Sequence, residues 1–300
     1  MKDPKKLLDI KCEYPEANFE CRFCFEVRLY FKKPLRKQKK AARDFLNRGL
    51  EHISRPPTGT FSQSTARYSS EGYLKFKKWN KSSIDIFEDY LNKKSKEHFC
   101  LDIETAESLY GISDMALHIC DFDGEPGYLR LILPDSITKN GKDFLQKMAL
   151  ELIGSFNFLS GYIGYGINVM HGAYQNISWK FPKVSTEFPG VDITDPYGFR
   201  SFEAKKLSNI NWITLINKER VSKEIEKKLR GLEKLDCTIL ELNGGIGIRS
   251  GESPQFGKSL EPMKQTAASL SELMLRKEDI GPYDSLGGEL ETQKWIERLS

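Results

Sequence analysis

The sequence predicts an α+β fold, an antiparallel sheet or sheets with flanking helices. Three observations carry this. Strand-like runs outnumber what an all-helical fold allows, the runs at 99–103, 115–122 and 128–133 follow one another as a meander, and helical patterns fall between groups of strands instead of alternating with them one for one. The 300 residues, 39% hydrophobic and 29% charged, suffice for a sizeable core in one domain of about 250 residues or in two smaller ones.

Taken in order, 19–31 alternates apolar and polar positions (Phe23, Phe25, Val27, Leu29, Phe31) and predicts an opening strand that stops at Lys32-Lys33-Pro34. The segment 35–53 repeats Leu35, Ala42, Phe45, Leu46, Leu50 and Ile53 at helical spacing, with Lys32, Lys33, Arg36, Lys37, Lys39, Lys40, Arg43 and Arg48 in and just before it, which predicts a basic amphipathic helix. A loop is expected at 55–60, a short strand at 73–76 and a helix at 84–91 behind Ser82-Ser83. The meander follows, with Asp123-Gly124-Glu125-Pro126-Gly127 as its second turn.

A helix is expected over 143–158, close backbone packing at the glycines of 160–166, a Pro-rich irregular stretch at 181–197, a buried strand at 210–216 and a Lys/Glu helix at 219–229. Residues 238–250 read as a hairpin turning at Asn243-Gly244-Gly245, and Met263, Ala267, Leu270, Leu273 and Met274 define a last amphipathic helix capped by Ser259. The segments 99–153 and 210–274 could form two similar halves, although no register-level repeat relates them.

Charge is segregated along the chain. The first 100 residues hold 23 Lys and Arg against 13 Asp and Glu, a net of +10, while the remaining 200 hold 23 against 29, a net of −6. Glu97, Asp102, Glu104, Glu107, Asp114, Asp121, Asp123 and Glu125 fall in a stretch with no Lys or Arg. Exposed, they would either deter pairing at a sheet edge or dock a basic partner.

Catalytic and metal motifs are sparse. His52, His98, His118 and His171 form no HExxH or HxH; His52 closes a helix where a positive charge suits the dipole, and His118 lies in strand alternation as a structural residue. Cys21-Arg22-Phe23-Cys24 sits in a strand, where residues three apart point to opposite faces, and Cys12, Cys100, Cys120 and Cys237 supply no matching ligand spacing. Asp102/Glu104 and Asp121/Asp123 are carboxylate pairs on one strand face each, with no identified base. The glycines near 244–251 fit neither GxxxxGK[ST] nor GxGxxG. No metal, cofactor or catalytic residue is therefore expected, and no enzymatic activity. The charged start of the chain and its short apolar runs predict a cytoplasmic protein without a membrane partner.

Four segments in order carry a resemblance. Ser160-Gly161-Tyr162-Ile163-Gly164-Tyr165 is similar to "SGYAGY", Phe188-Pro189-Gly190-Val191-Asp192 to "YPGLD", Asn211-Trp212-Ile213-Thr214-Leu215-Ile216 to "VNWLTLL", and 250–258 to "AGxxPxxGD", signatures of the bacterial type VI immunity family. Lys258 stands where that family has an acid. The resemblance covers about 21–275, dividing the chain into an N-terminal extension (1–18), an immunity-like α+β domain (19–275) and a C-terminal tail (276–300) with a short helix around Trp295. It implies a protein that binds a cognate antibacterial toxin and blocks its active site.

Such inhibition needs a preorganised face and complementary charge, with no chemistry of its own. Asp102, Glu104, Glu107, Asp114, Asp121, Asp123 and Glu125 are the expected contacts for a basic nuclease toxin, and 35–53 for an acidic one. The alternatives are an enzyme of unknown substrate and an anionic-surface or nucleic-acid binder using 35–53; the latter lacks a recognition motif, so no nucleic acid is expected as partner.

Overall fold

The computed structural model describes residues 21–53, 59–65, 81–92, 98–105, 112–122, 124–169, 181–255, 257, 260–280 and 289–299. Its centre is one nine-stranded antiparallel sheet in the order β2-β3-β4-β5-β1-β6-β7-β9-β8. The strands are β1 (Cys21–Phe31), β2 (Gly59–Thr65), β3 (His98–Glu104), β4 (Ala116–Asp121), β5 (Gly127–Pro134), β6 (Ser160–Val169), β7 (Ile213–Asn217), β8 (Cys237–Leu242) and β9 (Gly245–Ser250). The helices are α1 (Lys39–His52), α2 (Lys81–Asn92), α3 (Lys142–Ile153), α4 (Phe181–Glu187), α5 (Pro196–Glu203), α6 (Lys223–Leu232), α7 (Glu261–Ser269) and α8 (Glu289–Glu297).

The longest strands, β1 and β6, pair over ten residues at the middle of the sheet, where both faces are covered. Side chains alternate across a strand. Phe25, Val27, Leu29 and Phe31 therefore join Leu129, Leu131, Leu133, Leu117 and Ile119 on the face that packs against α1, α2 and α3 through Phe45, Leu46, Phe87, Leu145 and Leu152. Arg43 of α1 forms a two-pronged ion pair with Glu88 of α2, the shortest contact 2.7 Å, which ties the two helices on their outer edge. A second cluster gathers Phe181, Phe188 and Phe199 with α8, whose Trp295 is fully buried against Phe199, around Phe23, Tyr165 and Ile167 at the ends of β1 and β6, while Asp192, Thr194 and Glu203 reach the opposite face. A third cluster joins α6 and α7 to the β7–β9 wing through Ile225, Leu229, Ile248 and Met263.

The meander, the hairpin with Gly244 at φ 97°, and the helices of 35–53, 84–91 and 219–229 occur where periodicity places them, within a few residues. The last helix begins at Ser222, whose hydroxyl accepts from the Ile225 N–H at 3.2 Å, after a 3-10 turn at Lys218–Arg220. The two candidate halves are wings of the same sheet, but β3-β4-β5 runs in sequence order while the other wing runs β7-β9-β8.

Three readings need correction. Residues 59–65, expected as loop at the start, form the edge strand β2, whose Thr, Ser and Gln give no apolar alternation. The stretch 181–197 contains α4 and the start of α5, where Asp195 caps by accepting from Tyr197 and Gly198 N–H groups and Pro196 opens the helix. Burial at the end of α1 pushes the His52 imidazole below its ordinary value, which works against the positive charge expected at that terminus. The expected strand at 73–76, the Ser259 cap, Lys258, His171 and the extension 1–18 lie outside the described residues.

Candidate functional site

The charged residues closest to the centre of the molecule are buried. On the second face of the sheet, Glu26, Arg28 and Arg130 lie side by side because β1 and β5 pair Arg28 with Arg130. Arg130 Nε donates to Glu26 Oε2 at 2.7 Å; Arg28 Nη2 donates to the same oxygen at 3.0 Å and Arg28 Nη1 pairs with Asp192 Oδ2 at 3.0 Å. Thr194 adds its hydroxyl and carbonyl to Arg28. Beside them Glu203 accepts from Tyr162, Ser160 and Ser208. Burial pushes its carboxyl above the ordinary range, partly offset by those donors.

The family-like motifs are linked to one another, and 160–165 and 188–192 border this group. A Cβ at Gly166 would stand 2.6 Å from the Glu26 carboxyl carbon, so only glycine leaves room for that side chain. At Gly164 a Cβ would fall 2.0 Å from Asn211 Oδ1, while Asn211 Nδ2 donates to the Tyr165 carbonyl at 3.0 Å. Asp192 N–H bonds the Tyr165 carbonyl at 2.9 Å, and Trp212 Nε1 donates to the Gly251 carbonyl at 3.2 Å. The motifs help hold 181–203 and the 251 loop onto the sheet; 160–165 and 211–216 are buried, whereas Glu252, Ser253 and Gln255 of the fourth motif are exposed.

The acidic stretch does not form one exposed face. Asp102, Glu104 and Asp121 are 5%, 7% and 3% exposed, which corrects the expectation that they present free carboxylates. The reason is that their strands are covered on both sides. Asp121 Oδ2 accepts from the Leu35 N–H at 2.8 Å and the Tyr90 hydroxyl at 2.6 Å, anchoring the start of the 3-10 turn Leu35–Lys37. Glu104 accepts from Ser113 at 2.9 Å and lies 3.3 Å from His118 Nε2, and His118 stands directly opposite Asp102. His118 thus lies beside the carboxylate pair, but its side chain is only 13% exposed and that of Glu104 10%, an interior group in place of an open cleft. Asp114 and Glu125 do reach the surface, paired with Arg22 and Arg200. They flank opposite ends of β4, roughly 20 Å apart for a six-residue strand. Glu107 and Asp123 lie outside the described residues.

Around Glu125 the surface is organised differently. Arg200 of α5 rests its guanidinium against two rings, 4.4 Å from the Phe122 centroid and 4.3 Å from that of Tyr197, and donates to Glu125 Oε2 at 2.7 Å. A further N–H of Arg200 bonds the Tyr197 carbonyl. Phe122 meets Tyr197 edge to face at 5.6 Å and touches His98 from below at 5.6 Å. Phe122 is 7% exposed whereas Tyr197 is 53% exposed, so the ring of Tyr197 projects from a fixed base. Spacing could have marked Tyr197 and Arg200 as one helical face, but nothing in the sequence links 197–200 to 122–125.

Two other surfaces are less organised. On α1, Arg43 is committed to Glu88, Arg48 approaches Glu151 at 3.6 Å and Lys39 bonds Asn92 at 3.0 Å, so the basic helix spends much of its charge within the molecule. An open groove of about 420 Å³ runs along α3 past Asp143, Gln146, Lys147, Leu150 and Glu151, all from one helix. Among the described residues no group of three or more His, Cys, Asp and Glu could hold a metal ion, and no helix is long and apolar enough to cross a membrane.

Residues 61–298 match the family model TsiV, described as type VI immunity for VRR-NUC. The match takes in α8 as well as the four motifs, and so extends past residue 275. The fold is shared with a Pseudomonas aeruginosa T6SS protein, PA0821, at 15% identity and a TM-score of 0.75, over 93% of this chain and 84% of that one. A second solved structure, the toxic C-terminal tip of CdiA from Pseudomonas aeruginosa in complex with immune protein, aligns at 16% identity over 47% of this chain and 86% of that one, with a TM-score of 0.24. Comparison with the curated proteins gave no match.

Proposed function

The chain belongs to the TsiV family of type VI immunity proteins, and from that membership we propose that it neutralises a VRR-NUC toxin, a nuclease, by binding it in the cytoplasm and covering its active site. The family match over 61–298 is the observation that carries this reading. Such an inhibitor makes and breaks no bonds. It needs a rigid face with a few aromatic and Arg anchors around which flanking contacts exclude water.

The contact lies at Tyr197, Arg200, Phe122 and Glu125. Tyr and Arg are the residue types that dominate binding energy at protein interfaces, and here both are held in place before any partner arrives, which reduces the ordering entropy lost on association. Glu125 supplies the negative charge that a phosphate-binding, basic toxin surface would pair with, and it is the member of the acidic set that sits within this cluster.

Co-purification with the toxin tests the binding, and calorimetry with Tyr197→Ala tests the place. The variant is expected to bind at least tenfold more weakly, as loss of more than about 1.4 kcal/mol at an anchor implies, with the melting temperature unchanged. Full affinity in both Tyr197→Ala and Glu125→Lys would remove this surface from the interface.

A further inference from the structure

Cys100 and Cys120 face each other across β3 and β4. In that ladder the Thr105 N–H donates to the Met115 carbonyl at 3.1 Å, which makes Thr105/Met115 a hydrogen-bonded pair. Pair types alternate along antiparallel strands, so with Thr105 opposite Met115 the odd-numbered positions of β3 are hydrogen-bonded and Cys100/Cys120 falls at a non-hydrogen-bonded site. Cα atoms there approach to about 4.5 Å, within the range a disulfide spans. Both side chains lie on the same face: Cys120 is 2% exposed beside Tyr128 and Phe122, while Cys100 is half-buried and packs on that cluster from the open side. Cys21 and Cys24, by contrast, join clusters on different sides of the molecule, and Cys237 sits against Thr266.

We propose that Cys100 and Cys120 are a redox-active pair that is bridged and reopened in the folded protein. Cys100, the reachable thiol, loses its proton and attacks one sulfur of a small disulfide such as oxidised glutathione, forming a mixed disulfide and releasing one glutathione thiolate. The Cys120 sulfur, deprotonated as it approaches, attacks the Cys100 sulfur and expels the second glutathione. Two protein thiols are oxidised by two electrons, their two protons pass to the two departing thiolates, and one glutathione disulfide is reduced to two glutathiones. Burial raises the Cys120 thiol well above its ordinary value, so the more exposed Cys100 starts the exchange and Cys120, facing it across the ladder, follows. The bridge closes two residues from Phe122, at the base of the Arg200 cluster.

The native full-length protein, equilibrated with oxidised and reduced glutathione in graded ratios and then alkylated, tests this by peptide mapping. A Cys100–Cys120 cross-linked peptide that appears as the ratio rises and disappears on return to reduced glutathione is the expected result. Cys120→Ser should accumulate a glutathione adduct on Cys100, whereas Cys100→Ser should leave Cys120 unmodified. Absence of the cross-link in wild-type protein, its appearance only after denaturation, or preferential bridging of other cysteines would overturn the assignment.

Discussion

The two faces of the central sheet are equally dry and chemically opposite. One is built from Phe25, Val27, Leu29 and Phe31 against aliphatic partners; the other carries Glu26, Arg28 and Arg130 on the same strands. On the apolar face each contact is small, so truncating one side chain forfeits that side chain's own contacts and leaves no charge unpaired. The charged face behaves otherwise. Removing one partner leaves the others desolvated, although a well-packed apolar replacement of the whole group can match its stability. The charges therefore hold Asp192 and Thr194 on the sheet, just ahead of the helix that carries Tyr197 and Arg200.

Mutations that separate the two faces should rank accordingly. Glu26→Ala leaves Arg28 and Arg130 short of their shared carboxylate and is expected to cost about 3–5 kcal/mol in urea denaturation. Leu131→Ala, on the apolar face, should cost roughly 2–5 kcal/mol by cavity formation, with α4 and α5 left in place. A smaller loss for Glu26→Ala than for Leu131→Ala would show that the charged face is not the demanding one. Gly166→Ala pushes a methyl group into the Glu26 carboxylate and should cost about 1–3 kcal/mol.

The pH dependence is smaller and has a definite sign. Because the folded chain holds the Glu203 proton more tightly than the unfolded one, this group's contribution is complete below its unfolded value and is lost as pH rises through the raised one. Stability of wild type relative to Glu203→Gln should thus fall as pH rises above the ordinary carboxylate range, read from urea midpoints. The smallest effect belongs to the surface. Arg43→Ala breaks a pair about a third exposed and should cost roughly 0.2–1 kcal/mol, less at high salt.

Strands with one-sided apolar alternation were legible, as was the Asn243-Gly244 hairpin, since period and turn chemistry are local. The edge strand β2 was not, because its Thr-Phe-Ser-Gln-Ser core reads as polar loop. Nor was α5, whose Asp195-Pro196 start is a helix signal hidden among the prolines before it. The acidic stretch misled for a different reason. Asp102 and Glu104 alternate with apolar residues as on a solvated strand, and the pattern gives no sign that they are buried beside Ser113 and His118 of the neighbouring strand region. The Tyr197 surface depends on a long-range contact, through Phe122 and Glu125.

Titrating the purified toxin with this protein while following its nuclease activity tests the central claim, inhibition by occupation, most directly. Activity should fall linearly and reach its floor at a fixed stoichiometric ratio, with Tyr197→Ala shifting the curve to higher concentration and the toxin recovering full activity once separated. Complete inactivation by a small fraction of an equivalent, or a toxin that stays inactive after separation, would mean that the protein alters its target chemically and would contradict the account.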